Sequence, residues 1–151
     1  MKKIFSLSPV LVFFMVFNSL CAKELPEDDS KYNEINTKTC VPLFDAVKKG
    51  NVNTIRQYIS GKMYDEQKVL LEQNKKYPKF LREFYRGAKF SIDKVVELET
   101  DTAAESSVDT IVYVRIEFKT GDTNQIRLRV KKDEGDLIWK AVDYVDDSEQ
   151  K

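Results

Sequence analysis

Apolar and polar residues alternate with a period of two through the second half of the chain. Phe90, Ile92, Val96 and Leu98 share one side of a segment, with Ser91, Asp93, Glu97 and Glu99 on the other. Val112, Val114, Ile116 and Phe118 repeat the pattern against Tyr113, Arg115, Glu117 and Lys119. Ile126, Leu128 and Val130 repeat it against Gln125, Arg127, Arg129 and Lys131. This is the strand period, and clean alternation predicts antiparallel sheet with one buried face and one wet face. A fourth segment, Leu137 to Val145, is apolar at Leu137, Ile138, Trp139, Ala141, Val142 and Tyr144. It alternates less cleanly, which suggests cover on both faces.

Register follows from the faces, because opposed residues of an antiparallel pair point the same way. Pairing Phe118 with Ile126 sets Ile116 against Leu128 and Val114 against Val130, around the loop Gly121-Asp122-Thr123 or a five-residue loop. One loop residue would then take positive φ. Glu117 would oppose Arg127, and Arg115 would oppose Arg129. The turn Lys132-Asp133-Glu134-Gly135-Asp136 has a glycine where a tight turn wants one.

Residues 41–87 show the helical period instead. Pro42 suits a first helical turn, Leu43, Phe44 and Val47 make an apolar stripe, and Gly50 ends the segment. Asn51 can cap a second helix carrying Val52, Ile55, Tyr58 and Ile59, stopped by Gly61. A third is expected over 62–75, with Met63, Tyr64, Leu70 and Leu71 inward. Pro78 restarts the helix, with Phe80, Leu81, Phe84 and Tyr85 as a stripe and Gly87 as its close. Helices first and strands after predict an α+β fold, with N-terminal helices packed on a curved, mainly antiparallel four-stranded sheet.

The two ends read differently. Lys2 and Lys3, the apolar run Ile4–Phe17 and the small-residue exit Ser19–Ala22 have the form of a secretory signal peptide over 1–22. The run is short for a membrane span, which needs about 20 apolar residues; an uncleaved anchor is the alternative. Cys21 opens a second alternative, a lipid-modified lipoprotein cysteine. Asn18 and Leu20 match that signal poorly, and cleavage after Ala22 fits better. Export to the periplasm or cell exterior is the resulting expectation. Residues 23–40 lack apolar periodicity and read as a flexible linker, 41–145 as the domain, and 146–151 as a disordered tail.

The order of helices and strands, the Phe-Asp-Ala-Val-Lys-Lys-Gly-Asn run at 44–51 and the Gly-Asp-Leu-Ile-Trp-Lys-Ala-Val-Asp-Tyr run at 135–144 resemble the nuclear-transport-factor-2-like superfamily. The resemblance covers about residues 41–145. It implies a curved sheet wrapped around helices as a cone with an apolar pocket. It also implies a choice among ketosteroid-isomerase-like enzymes, cyclases, dehydratases and non-catalytic binding domains. The dehydratase type leans on histidine, and the chain has none. The isomerase type needs a pocket carboxylate and an acid such as Tyr, roles for which Asp143, Glu117, Tyr113 and Tyr144 are the available residues. The 43–59 segment also looks like the helix pair of an ankyrin repeat, but no second copy follows.

Charge and composition narrow the chemistry. The chain carries 25 basic and 25 acidic residues, which argues against nucleic acid as a partner. Without histidine, and with only Cys40 past the cleavage point, the usual zinc sets and the serine and cysteine triads are missing. No Gly-rich phosphate loop occurs. Asp133, Glu134 and Asp136 read as a solvated turn rather than a calcium loop. Cys40 is a small buried residue at a helix start or, in an oxidising compartment, an intermolecular disulfide partner. No cofactor or metal is implied.

Tyr113, Arg115, Arg127 and Arg129, with Lys131 nearby, form either a solvated basic strip or a groove for an anionic ligand or acidic partner. Trp139 and Tyr144 complete the candidate binding residues, as linings of the expected pocket. The function read from the sequence is thus an exported non-catalytic domain that binds a small apolar or anionic molecule or a protein. The alternatives are a partner-neutralising or accessory protein using the sheet face, or an isomerase- or cyclase-type enzyme. A membrane enters only through Cys21 lipidation or an uncleaved signal, and the oligomeric state is not encoded in any pattern above.

Overall fold

A computed structural model describes residues 23–24, 29–102 and 105–145, with side chains from 29–99 and 107–145. The expected signal peptide (1–22) and tail (146–151) lie outside the described residues. Among the described residues, no helix is long and apolar enough to cross a membrane.

The fold is α+β, with helices N-terminal to a curved, unclosed antiparallel sheet. Helix α1 (Asp29–Ile35), a π-helical stretch (Asn36–Cys40) and α2 (Val41–Lys49) run on through right-handed helical backbone. Much of the expected linker over 23–40 is therefore helical. Its anchors are Ile35 and Cys40, 0% and 1% exposed. They are the only apolar residues between Tyr32 and Val41, too few to register as an amphipathic stripe in the sequence.

Helix α2 has Pro42 in its first turn and ends at Gly50, whose φ of +63° closes the C-terminus. Asn51 caps α3 (Val52–Tyr58) by accepting a hydrogen bond from the Thr54 backbone N–H. Ile59 then turns extended, and the Ser60 N–H donates to the Ala141 carbonyl. Gly61 was expected to stop this helix; instead it opens α4 (Gly61–Glu72), since Ile59 is taken up by a bridge to the sheet edge. Helix α5 (Tyr77–Phe84) has Pro78 in its first turn. Of its expected apolar stripe, Leu81 is buried, but Phe80 and Phe84 are each 52% exposed.

Strands β2 (Lys89–Thr102), β3 (Glu105–Glu117), β4 (Thr123–Lys131) and β5 (Lys140–Tyr144) pair in chain order, and the two-residue β1 (Lys23–Glu24) adds to the outer edge of β2. Val112, Val114, Ile116, Leu128 and Val130 are at most 3% exposed and form the helix-facing side of the core with Leu43, Phe44, Ile55 and Met63.

The expected hairpin register is displaced. Ile126 pairs with Val114, Leu128 with Val112 and Val130 with Thr110. Phe118 and Asp122 close a loop of Lys119, Thr120 and Gly121: the Phe118 N–H donates to the Asp122 carbonyl, and the Gly121 N–H donates to the Phe118 carbonyl. Gly121, at φ +91°, is the last loop residue, the place where a three-residue hairpin needs positive φ. Placing it first slid β4 by four residues. An even slip keeps every side chain on its own face, so the inner and outer assignments of β3 and β4 survive.

Strand β2 breaks the expected pattern differently. A bulge between Ile92 and Lys94 changes its phase. Phe90 and Ile92 face inward opposite Ile116 and Val114, but beyond the bulge Val95 takes the inner place opposite Val112. Val96 and Leu98 are thereby turned to the outer side, opposite Ile111 and Asp109. The fourth segment is a strand only from Lys140, because its partner β4 ends at Lys131. Leu137, expected within it, lies in the connecting loop and is 84% exposed.

Candidate interaction face on the sheet

The outer face of β2–β5 gathers four of the six candidate residues. It is not a bare basic strip. Asp93, at the β2 bulge, accepts hydrogen bonds from Arg115 at 3.2 Å and from the Gln125 amide at 2.9 Å. Arg115 therefore stands opposite Gln125 rather than Arg129. Tyr113 is the register partner of Arg127, and its ring is flanked by the Lys94 ammonium at 4.7 Å and the Arg127 guanidinium at 6.0 Å from the centroid. Glu117, expected opposite Arg127, lies near Lys89 instead, at 3.8 Å.

Arg129 is the hub of this face. It lies 3.2 Å from Asp109 and 3.4 Å from Asp143. Asp143 also meets Lys62 at the start of α4, at 3.2 Å. These carboxylates arrive from β3 and β5, far from Arg129 in sequence, so strand periodicity does not reveal them. Beneath the charges lies a second apolar cluster of Val96, Ile111 and Val145, with Leu98 and Tyr113 against it. Ile111 is 2% exposed although it occupies the outer face. Its position as an odd-numbered apolar residue before Tyr113 was the available sign of a two-sided sheet.

Trp139 and Tyr144 lie elsewhere. The Trp139 indole N–H donates to Glu34 at 3.3 Å, its carbonyl accepts from the Thr39 hydroxyl at 2.9 Å, and Lys31 stands 4.9 Å from its ring centroid. Hydrogen bonds from Lys132 and then Trp139 hold the Glu34 carboxyl below its ordinary range. Trp139 thus ties the β4–β5 connection to the N-terminal helix. Tyr144 faces inward opposite Leu128, 44% exposed, and its hydroxyl accepts from the Gln67 amide at 3.3 Å.

Tyr144 borders an apolar cavity between helices and sheet, whose other walls include Leu43, Ile55, Met63, Tyr85 and Phe90. Its volume is about 70 Å³. Its polar side chains are Gln67, Tyr85 and Tyr144, with no carboxylate among them. Burial pushes the Tyr85 and Tyr144 phenols above their ordinary range. Of the residues considered for isomerase chemistry, Asp143 and Tyr113 stand on the opposite side of the sheet from this cavity. Cys40 is a free, buried thiol, its pKa pushed up to about 12 by burial. Among the described residues, no group of His, Cys, Asp and Glu side chains is placed to hold a metal ion.

No family model, curated protein or solved structure matches this chain.

Proposed function

We propose that the protein is a non-catalytic binding domain that engages a protein partner through the outer face of its sheet. The observation that carries this reading is the contrast between the two sides. The inner cavity, at about 70 Å³, is far below the roughly 300–1,000 Å³ of small-molecule pockets. The outer face sets Tyr113 among cations and carboxylates of alternating sign, a pattern suited to choosing a partner by charge. Arg115 and Lys131 are exposed there, while Tyr113, Arg127 and Arg129 are half-buried.

Export is part of the proposal, supported by the charged, apolar and small-residue order of the first 22 residues. So is the likeness to nuclear-transport-factor-2-like domains, supported by the order of helices before a curved antiparallel sheet.

Native mass spectrometry of the protein from its own host tests the reading. The expected spectrum contains a second polypeptide, lost when Arg115 and Arg127 are both changed to Glu. A retained small molecule, or a polypeptide that stays bound to the Arg115→Glu/Arg127→Glu variant, would overturn it. The same spectrum reports the mature N-terminus and any lipid.

A further inference from the structure

Away from the sheet's outer face, α5 and its flanks concentrate charge of one sign. Residues 75–89 hold six cations, Lys75, Lys76, Lys79, Arg82, Arg86 and Lys89, against one acid, Glu83. The whole chain is balanced at 25 of each sign, so the local excess of five is a property of this segment. All six cations are exposed. Lys48 and Lys49, at the end of α2, border the same open groove as Lys79, Arg82 and Arg86; Lys49 is paired with Asp45 at 2.5 Å, so it is Lys48 that extends the positive surface.

The same helix exposes aromatic surface. Phe80 and Phe84 are each 52% exposed, with stacked rings 5.4 Å apart. Tyr77 stacks on Phe80 at 6.1 Å, and Phe118 of the β3–β4 loop meets Phe84 edge-on at 5.7 Å. Tyr77, Phe80, Phe84 and Phe118 thus form one continuous row of ring contacts, with neighbouring centroids 5.4–6.1 Å apart.

We infer that α5 docks on an anionic phospholipid surface, with Phe80 and Phe84 at the headgroup–acyl boundary and the surrounding cations on lipid phosphates. Exposed aromatics on a short amphipathic helix with basic flanks are the combination that interfacial helices use. Charge complementarity selects the occupant: the excess of five cations matches an anionic leaflet, where each Lys or Arg near the surface strengthens binding by about fivefold. The phenylalanines have no polar tip to match an acidic protein groove. Lys89 pairs with Glu117 at the edge of the sheet's outer face, but Arg115 and Arg127, whose substitution tests the partner reading, lie off α5, so the two readings stand or fall separately.

The test is co-sedimentation of the protein, as its host makes it, with vesicles of phosphatidylglycerol and phosphatidylcholine, and with phosphatidylcholine alone. Any contribution from the apolar N-terminal run is common to all variants and cancels in their ratio. Binding is expected to be at least about tenfold stronger on the anionic vesicles. Lys79→Glu/Arg82→Glu should weaken it by about 25-fold or more, and Phe80→Ser by several-fold. Lys68→Glu, on the exposed side of α4, should bind like the unaltered chain. The inference is overturned if Lys79→Glu/Arg82→Glu binds as the unaltered chain does, or if the two vesicle types bind alike. Displacement from vesicles by a single-stranded oligonucleotide at equal charge concentration would overturn it too.

Discussion

Arg129 and Asp143 are register partners across β4 and β5, with 3.4 Å between guanidinium nitrogen and carboxylate oxygen. Their side chains are 23% and 13% exposed, so water screens the pair poorly. Lys62 on one side and Asp109 on the other complete an alternating row that joins α4, β5, β4 and β3. Asp143→Ala leaves Lys62 and Arg129 facing each other without the shared carboxylate. It should cost about 2–3 kcal/mol in urea denaturation. Lys62→Ala, which removes a side chain 63% exposed, should cost under about 1 kcal/mol.

Ile111 separates outer position from outer character. It sits on the ionic side of the sheet, yet it is as buried as the inner-face residues. Ile111→Ala should therefore behave as a core truncation and cost about 2–4 kcal/mol. Arg115→Ala, two positions from Tyr113 on the same face and exposed, should change stability by less than about 1 kcal/mol. Equal losses from the two substitutions would show that Ile111 is not packed as described.

Gly50 and Gly121 both take positive φ, but their surroundings differ. A Cβ at Gly50 would come within 2.2 Å of the Pro78 carbonyl oxygen at the start of α5. At Gly121 nothing lies within 4 Å. Gly121→Ala should cost only backbone strain, about 1–2 kcal/mol. Gly50→Ala adds a collision between two backbones, so its midpoint should fall further, by about 3 kcal/mol or more in total. Thermal melting of the two variants side by side gives the comparison directly.

Cys40 gives the fold an alkaline limit. Burial raises its thiol from an ordinary 9.0 to about 12. Below pH 9 both folded and unfolded chains keep the proton. Between 9.0 and about 12 the unfolded chain releases it while the folded chain retains it, so stability falls as pH rises. The phenols of Tyr77, Tyr85 and Tyr144, raised first by burial, add a loss of the same sign above their ordinary 10.0. Denaturation midpoints should drop steadily from pH 9 upward, and Cys40→Ala should flatten the first part of that drop. At pH 8 Cys40 should also escape alkylation in the native protein and react in guanidinium, as peptide mass mapping would read.

Local chemistry accounts for much of this molecule. Alternation placed Val112, Val114, Ile116, Leu128 and Val130 on the buried side, since a strand's side chains have only two directions to take. Pro42, Gly50 and Asn51 marked their helix ends through φ preference and a side-chain cap, both of which act within a few residues. Tertiary structure decided what depends on distant partners. The bulge in β2 moved Val96 to the far side, because Ile111 and Val145 offered it a second apolar cluster. The π-helical stretch tied residues 29–40 into the core through Ile35 and Cys40. The candidate face took its acids from β2, β3 and β5, and the cavity closed to about 70 Å³ because helices and sheet meet closely. A period reports which way a side chain points along its own segment; which charge or methyl group it meets there is set by chain brought in from elsewhere.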